Sequence, residues 1–332
     1  MAKRTIAAAL LTLSMSSFAL DNIGVHQSYY VTEKGRPITV KSEIPADGSG
    51  WATTFSPDEF FYQKDIVDTF GGNYIVMDTD GIIHTLDSQG NMYKELDAYA
   101  DSKVKVAGMN YFITRKGTIV VIKHDGMIGK TEAGFERVNK KEAGGMYFFH
   151  KRKLMIPNIF TGDNVELPYS TSRRKAEKYG ILHIDGDIEI YGDSYFVTEE
   201  NKIYTIGFKW KKVIIVREDE VRGRTRRTEE LQENYFPEIH EHTLPGSMSH
   251  EDIVKKGGNF FFDKLGNLFT ISDKGEFKRH GTIAGKAGQL PSQLGGNYMI
   301  FSDKSLYQVD EKGELNFVHK IDPKVNVLVT NK

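Results

Sequence analysis

The stretch GGNFFFDKLGNLFTISDKGEFKR, residues 257–279, shows most clearly which fold the chain adopts. Two glycines precede an aromatic run, and the turns Lys264-Leu265-Gly266 and Asp273-Lys274-Gly275 separate that run from two further apolar segments. Runs of about five residues rich in Phe, Ile and Val suit a pleated, half-buried surface, and glycine supplies the positive φ that tight hairpin turns require. The stretch therefore predicts antiparallel β-strands joined by short turns.

The same pattern recurs along the chain. In six segments a glycine stands three residues before an aromatic residue, as in Gly71-Gly72-Asn73-Tyr74, and a weaker copy is His26-Gln27-Ser28-Tyr29. We expect the glycines to let the backbone turn tightly, and the aromatic side chains to pack between repeats rather than to form a ligand cage. The aligned aromatic residues are Tyr29, Tyr74, Tyr111, Tyr147, Tyr195, Phe260 and Tyr298.

Four short strands in a unit of about 37 residues indicate a β-propeller, in which each sheet buries its faces against its neighbours and ring closure removes exposed edges. Seven copies predict seven four-stranded antiparallel blades in one all-β domain over residues 20–332, with six or eight blades as alternatives. An open β-solenoid has shorter coils, and stacked sandwiches lack this period. The tail, residues 324–329, resembles an innermost strand, and we expect it to complete the N-terminal blade.

Two known classes of propeller share these repeat features. The run Gly266-Asn267-Leu268-Phe269-Thr270-Ile271-Ser272-Asp273-Lys274-Gly275 resembles the repeats of quinoprotein-like propellers, and Ser194-Tyr195-Phe196-Val197-Thr198 resembles the bacterial repeat class named for its Tyr-Val-Thr-Asn motif. The tryptophan that often ends a quinoprotein repeat is missing, since the chain's tryptophans are Trp51 and Trp210. The resemblance covers most of residues 20–332 as a repeat pattern, and it implies the fold rather than a cofactor or a reaction.

The first 19 residues have the features of a secretory signal peptide. Lys3 and Arg4 precede an apolar run from Ile6 to Leu13, and Ser17-Phe18-Ala19 fits the small-residue rule for cleavage. We therefore expect cleavage after Ala19 and a periplasmic or secreted protein. The apolar run is shorter than the roughly 20 residues of a membrane-spanning helix, and no later run in the sequence is long enough either.

Composition narrows the classes of function. The 332 residues include no cysteine, which excludes disulfides, thiolate metal sites and cysteine nucleophiles. A formal net charge of −1 gives no sign of the basic surface that binds nucleic acid. The sequence also contains no Gly-x-Ser-x-Gly elbow, P-loop or dinucleotide-binding fingerprint. These features favour a binding protein over an enzyme, with a protein or a cell-envelope component as its partner.

Three long spacings between repeats predict insertions at about residues 46–61, 170–186 and 217–250. We expect all three to lie between the last strand of one blade and the first strand of the next, and hence on one face of the disc. The third insertion holds five arginines and eight acidic residues, a mixture typical of a solvated loop or of a protein-docking arm. The expected contact residues are Trp51, Phe60, Phe61, Arg173, Arg174, Arg226, Arg227, Tyr235 and Phe236.

Histidines in the third insertion indicate a second kind of site. His240, His242 and His250 carry imidazoles of the type that ligates divalent metals, although their spacing lacks the four-residue step of helical zinc-binding motifs. His150 and Asp263 stand three residues after an aligned aromatic residue. The leading hypothesis is a non-enzymatic exported scaffold that binds through the insertion-bearing face without a cofactor. The alternatives are a metal-dependent propeller hydrolase or lyase, and a glycan-binding propeller.

Overall fold

A computed structural model describes seven strands between Ser28 and Tyr93, and residues 104–321 except 124, 222, 223, 296 and 311. The strands before residue 104 are β1 (Ser28–Val31), β2 (Pro37–Glu43), β3 (Ala52–Pro57), β4 (Ile66–Phe70), β5 (Ile75–Asp78), β6 (Ile83–Leu86) and β7 (Met92–Tyr93). They form a three-stranded sheet in the order β1-β2-β3 and a four-stranded sheet in the order β4-β5-β6-β7.

Five four-stranded blades follow, which we name A to E in chain order. Blade A comprises β8 (Val104–Ala107), β9 (Tyr111–Thr114), β10 (Ile119–Ile122) and β11 (Ile128–Glu132). Blade B comprises β12 (Phe148–His150), β13 (Lys153–Pro157), β14 (Asn164–Ser170) and β15 (Leu182–His183). Blade C comprises β16 (Ile188–Tyr191), β17 (Tyr195–Thr198), β18 (Lys202–Val221) and β19 (Arg224–Thr243). Blade D comprises β20 (Ile253–Lys256), β21 (Phe260–Asp263), β22 (Asn267–Ile271) and β23 (Phe277–Thr282), and blade E comprises β24 (Gln293–Gly295), β25 (Tyr298–Ile300), β26 (Ser305–Val309) and β27 (Leu315–Lys320).

The predicted all-β propeller of four-stranded antiparallel blades is confirmed, apart from the parallel pairing of the last strand of blade B. The described residues show five blades where the sequence predicts seven. The first two repeats depart from the full blade for visible reasons. Strand β7 has two residues, and β1 forms an edge of its sheet among the described strands. The predicted innermost strand at residues 324–329 lies outside the described residues.

Blade B differs from its neighbours in how its four strands arise. The strand that should precede β12 is reduced to a single bridge between Ala143 and Phe148. A fourth strand comes instead from the second predicted insertion, because β15 pairs parallel with the end of β14. The same insertion contains the helix α1 (Arg173–Tyr179), which ends at Gly180 with a left-handed φ of 61°. The insertion is thus an ordered part of the blade.

A chain of hydrogen bonds between blades explains the repeated aromatic residues. The hydroxyl of Tyr111 donates to the carbonyl of Tyr147 (2.8 Å), that of Tyr147 to Tyr195 (2.6 Å), and that of Tyr195 to Phe260 (3.2 Å). All four rings are fully buried, and burial raises the pKa of the three phenols well above the usual value. The predicted packing role is confirmed for the aligned aromatic residues from Tyr111 onwards, whose side chains the structure describes. The three phenols also donate hydrogen bonds to buried carbonyls of the next blade.

The first glycine of each repeat is explained by close packing. A Cβ atom at Gly108, Gly144, Gly192 or Gly257 would overlap the aromatic ring three residues later. None of these four glycines is among those with positive φ. The predicted tight turn is present, since the N–H of each of these glycines donates over 2.8 Å to the carbonyl of the aromatic residue three positions later. The need for glycine comes from the ring that lies across it and not from a left-handed φ.

A second hydrogen bond between blades recurs near the outer strands. The hydroxyls of Thr85, Thr205 and Thr270 each donate over 2.6 Å to a glycine carbonyl in the following blade. The acceptors are Gly126, Gly275 and Gly313, each in a turn with φ between 73° and 79°. These contacts bind the third strand of one blade to the turn before the fourth strand of the next.

The third predicted insertion is not a loop between blades. Strands β18 and β19 pair along their whole length, from Lys202 opposite Thr243 to Val221 opposite Arg224. The β-branched run Val213-Ile214-Ile215-Val216 favours this extended structure. The hairpin joins the third and fourth strands of blade C, and successive antiparallel strands turn on alternate faces. It therefore leaves the disc on the face opposite the second insertion, which corrects the expectation of a single insertion-bearing face.

The first predicted insertion, residues 46–61, also contains a strand, since β3 pairs with β2. Part of the insertion, Ala52–Pro57, is therefore the last strand of the first sheet. The remainder of this insertion, including Trp51, Phe60 and Phe61, lies outside the described residues.

Candidate functional site

A cleft opens between blades B and C on the face that carries the second insertion. Its volume is about 320 Å³, within the range of small-molecule sites. Five pieces of chain meet there: the short 3₁₀ helix Lys140–Glu142, the end of β12 with the turn to β13, the end of β14, the segment before β16, and β16 itself. The lining residues are Glu142, Phe149, His150, Lys151, Arg152, Tyr169, Thr171, Ile184, Gly186, Asp187, Ile188 and Tyr191. We call this site the B–C cleft.

Aromatic rings form the apolar part of the B–C cleft. Phe149 is 6% exposed and makes edge contacts with Tyr169 and Tyr191, at centroid distances of 5.4 and 6.2 Å. Both tyrosines are half-buried. Burial, with a smaller contribution from Glu142, raises the pKa of Tyr191 to about 12 and also raises that of Tyr169. The two phenols therefore keep their protons at neutral pH and remain hydrogen-bond donors.

Charged side chains of both signs surround these rings. Glu142 and Asp187 supply exposed carboxylates, and Lys151 and Arg152 supply exposed cations. His150 lies beside them, and burial, reinforced by Lys151, lowers its pKa. A neutral imidazole both donates and accepts a hydrogen bond. The cleft thus offers donors and acceptors around an aromatic surface.

The turn that presents Lys151 and Arg152 is unusual. His150 pairs with Lys153, so the connection between β12 and β13 has two residues. Both have positive φ, 49° at Lys151 and 60° at Arg152. Such turns normally carry Asn-Gly or Asp-Gly, because other side chains are strained in the left-handed region. Strained residues of this kind cluster at functional sites, so their place in the wall of a cleft marks the site as a candidate.

The root of the hairpin is a second candidate surface. Trp210 is 40% exposed and Phe236 is 36% exposed. A lysine ammonium lies over each ring: Lys212 is 5.4 Å from the Trp210 centroid, and Lys211 is 5.7 Å from that of Phe236. Side chains alternate between faces of a strand, so the two aromatic residues stand on opposite faces of the hairpin.

Blade B holds the root of the hairpin in place. Tyr235 stacks on Phe160 at a centroid distance of 4.0 Å, and Phe208 meets the same ring edge-on at 5.2 Å. The side-chain amide of Asn158 donates to the carbonyl of Tyr235 over 2.8 Å. Of the predicted contact residues, Tyr235 is therefore engaged within the chain, whereas Phe236 is open to a partner.

The other predicted contact residues are dispersed. Arg173 and Arg174 are exposed in the first turn of α1. Arg226 and Arg227 lie on β19, opposite Asp219 and Glu218. The hairpin and α1 leave opposite faces of the disc, so these arginines do not form one patch with Arg173 and Arg174.

The predicted metal ligands take part in local hydrogen bonds. His242 Nε2 lies 3.1 Å from the Gly275 carbonyl oxygen and 3.3 Å from Thr205 Oγ1. His250 Nδ1 lies 3.1 Å from Asn201 Oδ1, while the ring of His240 lies 6.4 Å from that of His242. Across the part of the chain that the structure describes, no group of three His, Cys, Asp or Glu side chains is arranged to hold a metal ion.

Asp263 and His150, the two residues at the aligned position after the aromatic, have different surroundings. The Asp263 carboxylate accepts hydrogen bonds from the backbone and side chain of Asn267 and supports a turn. His150 lines the B–C cleft. The sequence carried no clear signal of the cleft, since the His150–Lys153 turn lacks the glycine found at Gly117 and Gly266, but the equivalent turns at Asn201 and Lys304 lack it as well.

Comparisons with known proteins add no further constraint. No protein-family model matches the chain, and no curated protein matches it significantly. Among the described residues, no helix has the length and apolarity needed to cross a membrane.

Proposed function

We propose that this protein is a non-enzymatic, exported β-propeller that acts as a binding scaffold and engages a protein partner through the β18–β19 hairpin. The observation that carries the proposal is the exposure of Trp210 and Phe236 at the root of a hairpin that continues well past its blade. Strand β18 extends 13 residues beyond Phe208, which corresponds to about 43 Å of extended chain.

The chemistry of the hairpin root supports a protein partner. Exposed tryptophan and other aromatic side chains are the residue types that dominate the energy of protein interfaces. The root also carries the exposed Lys211 and Lys212, which favour a partner with an acidic surface. The third exposed lysine of the root, Lys209, forms an ion pair with Glu238 at 3.3 Å. A two-stranded hairpin offers strand edges as well, so the partner has backbone groups available for pairing.

Rigid support for the root also favours binding. Phe160 and Asn158 of blade B fix Tyr235, the residue opposite Trp210. A positioned aromatic anchor loses less conformational entropy on binding than a mobile one. The propeller thus serves as the platform, and the hairpin root as the contact surface.

Two finer features belong to the same proposal. We take the sheets β1–β3 and β4–β7 as the remaining two blades of a seven-bladed ring, with the tail at 324–329 as the missing strand beside β1. The proximity of β1 to β24 of blade E supports closure of the ring. Deletion of residues 324–329 should then lower the melting temperature of the whole domain in a single transition.

A comparison of shortened and substituted proteins tests the binding function. One variant replaces residues 211–234 by Asn-Gly, which keeps the Trp210–Tyr235 pair as the last pair of the hairpin. A second variant is Trp210→Ser with Phe236→Ser. Leu265→Ser is the matched control, because Leu265 is 74% exposed on a turn of blade D.

Cross-linking in cell-envelope extract, followed by mass spectrometry, should capture the same partner with the wild type and with Leu265→Ser. The Trp210/Phe236 variant should lose that partner. Retention of the partner by both hairpin variants would contradict the proposal.

A further inference from the structure

We propose that the B–C cleft binds a saccharide ring. This site is separate from the hairpin root, since the cleft and the hairpin lie on opposite faces of the disc. The proposal concerns Tyr169, Tyr191 and the charged residues of the cleft wall, and it does not depend on the hairpin having a protein partner.

The first argument is the shape and rigidity of the aromatic surface. Phe149 is buried and packs edge-on against Tyr169 and Tyr191, which leaves part of both tyrosine rings facing the cleft. A sugar ring has an apolar face of C–H groups that packs on such rings, and hydroxyl groups around its rim. The tyrosines match both features, since each carries an apolar body and a polar tip.

The second argument is the mixture of polar groups. Glu142 and Asp187 accept hydrogen bonds, whereas Lys151 and Arg152 donate them. Each sugar hydroxyl donates one hydrogen bond and accepts others, so it uses both kinds of group at once. A small anion would meet the two carboxylates, and a metal cation would meet the two side-chain cations. A neutral, hydroxyl-rich ligand avoids both conflicts.

The third argument is that the cleft is already formed. Ile184 is fully buried, and the backbone N–H of Asp185 donates to the hydroxyl of Tyr204 over 2.8 Å. The N–H of Asp187 donates to Glu199 Oε1 over 3.1 Å. These bonds fasten the wall formed by the second insertion onto blade C. A preformed site lowers the entropy lost on binding, which matters for a small polar ligand.

The fourth argument is the strained turn. Lys151 and Arg152 both hold left-handed backbone conformations in a position where Asn-Gly would be relaxed. The strain places two cationic side chains at the mouth of the cleft. Ligand binding accounts for their presence there, because the fold itself would accept an uncharged Asn-Gly turn of the same length.

Saturation-transfer difference NMR on the full chain tests the proposal, with the neutral sugars glucose, N-acetylglucosamine and mannose as probes. We expect at least one of the three to receive saturation, with a dissociation constant of about 1 mM or lower. Tyr191→Ala should weaken that binding about tenfold or more. Tyr179→Ala should leave it unchanged, because Tyr179 is 64% exposed in the same insertion but does not line the cleft.

A second variant keeps the test decisive if Tyr191→Ala reduces folding. Asp187→Asn removes an exposed charge from the cleft wall and should weaken binding several-fold while circular dichroism shows the wild-type fold. No transfer from the protein to any of the three sugars would overturn the proposal. Equal transfer in the wild type, Tyr191→Ala and Asp187→Asn would overturn it as well, since binding would then lie elsewhere.

Discussion

Relaxing the turn at Lys151 and Arg152 should make the protein more stable and less able to bind a ligand. The change is Lys151→Asn with Arg152→Gly. The two residues have φ values of 49° and 60°. A left-handed conformation costs an ordinary residue about 1–2 kcal/mol. A new glycine lowers stability by about 0.5–1 kcal/mol, because it increases the conformational entropy of the unfolded chain. Because the strain is relieved at two residues and one glycine is introduced, we expect the free energy of unfolding to rise by about 1–3 kcal/mol.

Scanning calorimetry measures the effect. In a domain of this size, 1 kcal/mol corresponds to about 2 °C in melting temperature. Lys304→Gly is the matched control, because Lys304 has a φ of 65° in a turn of blade E, away from the cleft. If the control raises the melting temperature and the double variant does not, Lys151 and Arg152 contribute to folding through their side chains. The reasoning that their strain is retained for binding would then be wrong.

Three further outcomes follow from the contacts between blades and from the cleft. Tyr147→Phe removes the buried hydrogen bond to Tyr195 and should lower the free energy of unfolding in urea by about 0.5–1.5 kcal/mol, because the Tyr195 carbonyl keeps its hydrogen bond from the Gly192 N–H; an unchanged midpoint would contradict this. Gly144→Ala should destabilise at least as strongly, since the new Cβ meets the Tyr147 ring, whereas Gly134→Ala has open space and should show only backbone strain. For Tyr191, the folded pKa of about 12 exceeds the usual value near 10, so its contribution to stability is complete below pH 10 and is lost as the pH rises towards 12. The pKa of Tyr204 is also raised to about 12, so phenolate absorbance near pH 12 should fall by one tyrosine equivalent in Tyr191→Phe and should not disappear; an unchanged absorbance step in the variant would refute the assignment.

The chain's local pattern was sufficient to predict strands, turns and repeats. The repeat consists of a glycine before an aromatic residue, an apolar run and a second turn with glycine. Its length matches that of four short strands with their turns. The aligned tyrosines Tyr111, Tyr147 and Tyr195 pack between blades as predicted, because residues at the same position of each repeat occupy the same position in successive blades.

The assignment of the extra residues to particular strands and blades was predicted less well. The spacing between Tyr195 and Phe260 showed that extra chain lies there, but length alone does not say between which two strands it enters. The hairpin continues β18 and β19, so the extra residues extend two strands rather than joining two blades. The short β7 and the single bridge at Ala143 were likewise not predicted, because the length of a strand depends on how it pairs with neighbouring strands.

The candidate sites also contain features that the sequence predicted and features that required the tertiary structure. The sequence by itself determined the repeat and the order of its strands, since these depend on residues close together in the chain. Only the tertiary structure decided that Phe149, Tyr169 and Tyr191 meet in one cleft, and that Trp210 is exposed while Tyr235 is packed on Phe160. The physical reason is that a binding site depends on distances between separate strands, and those distances are set by how whole blades pack against each other.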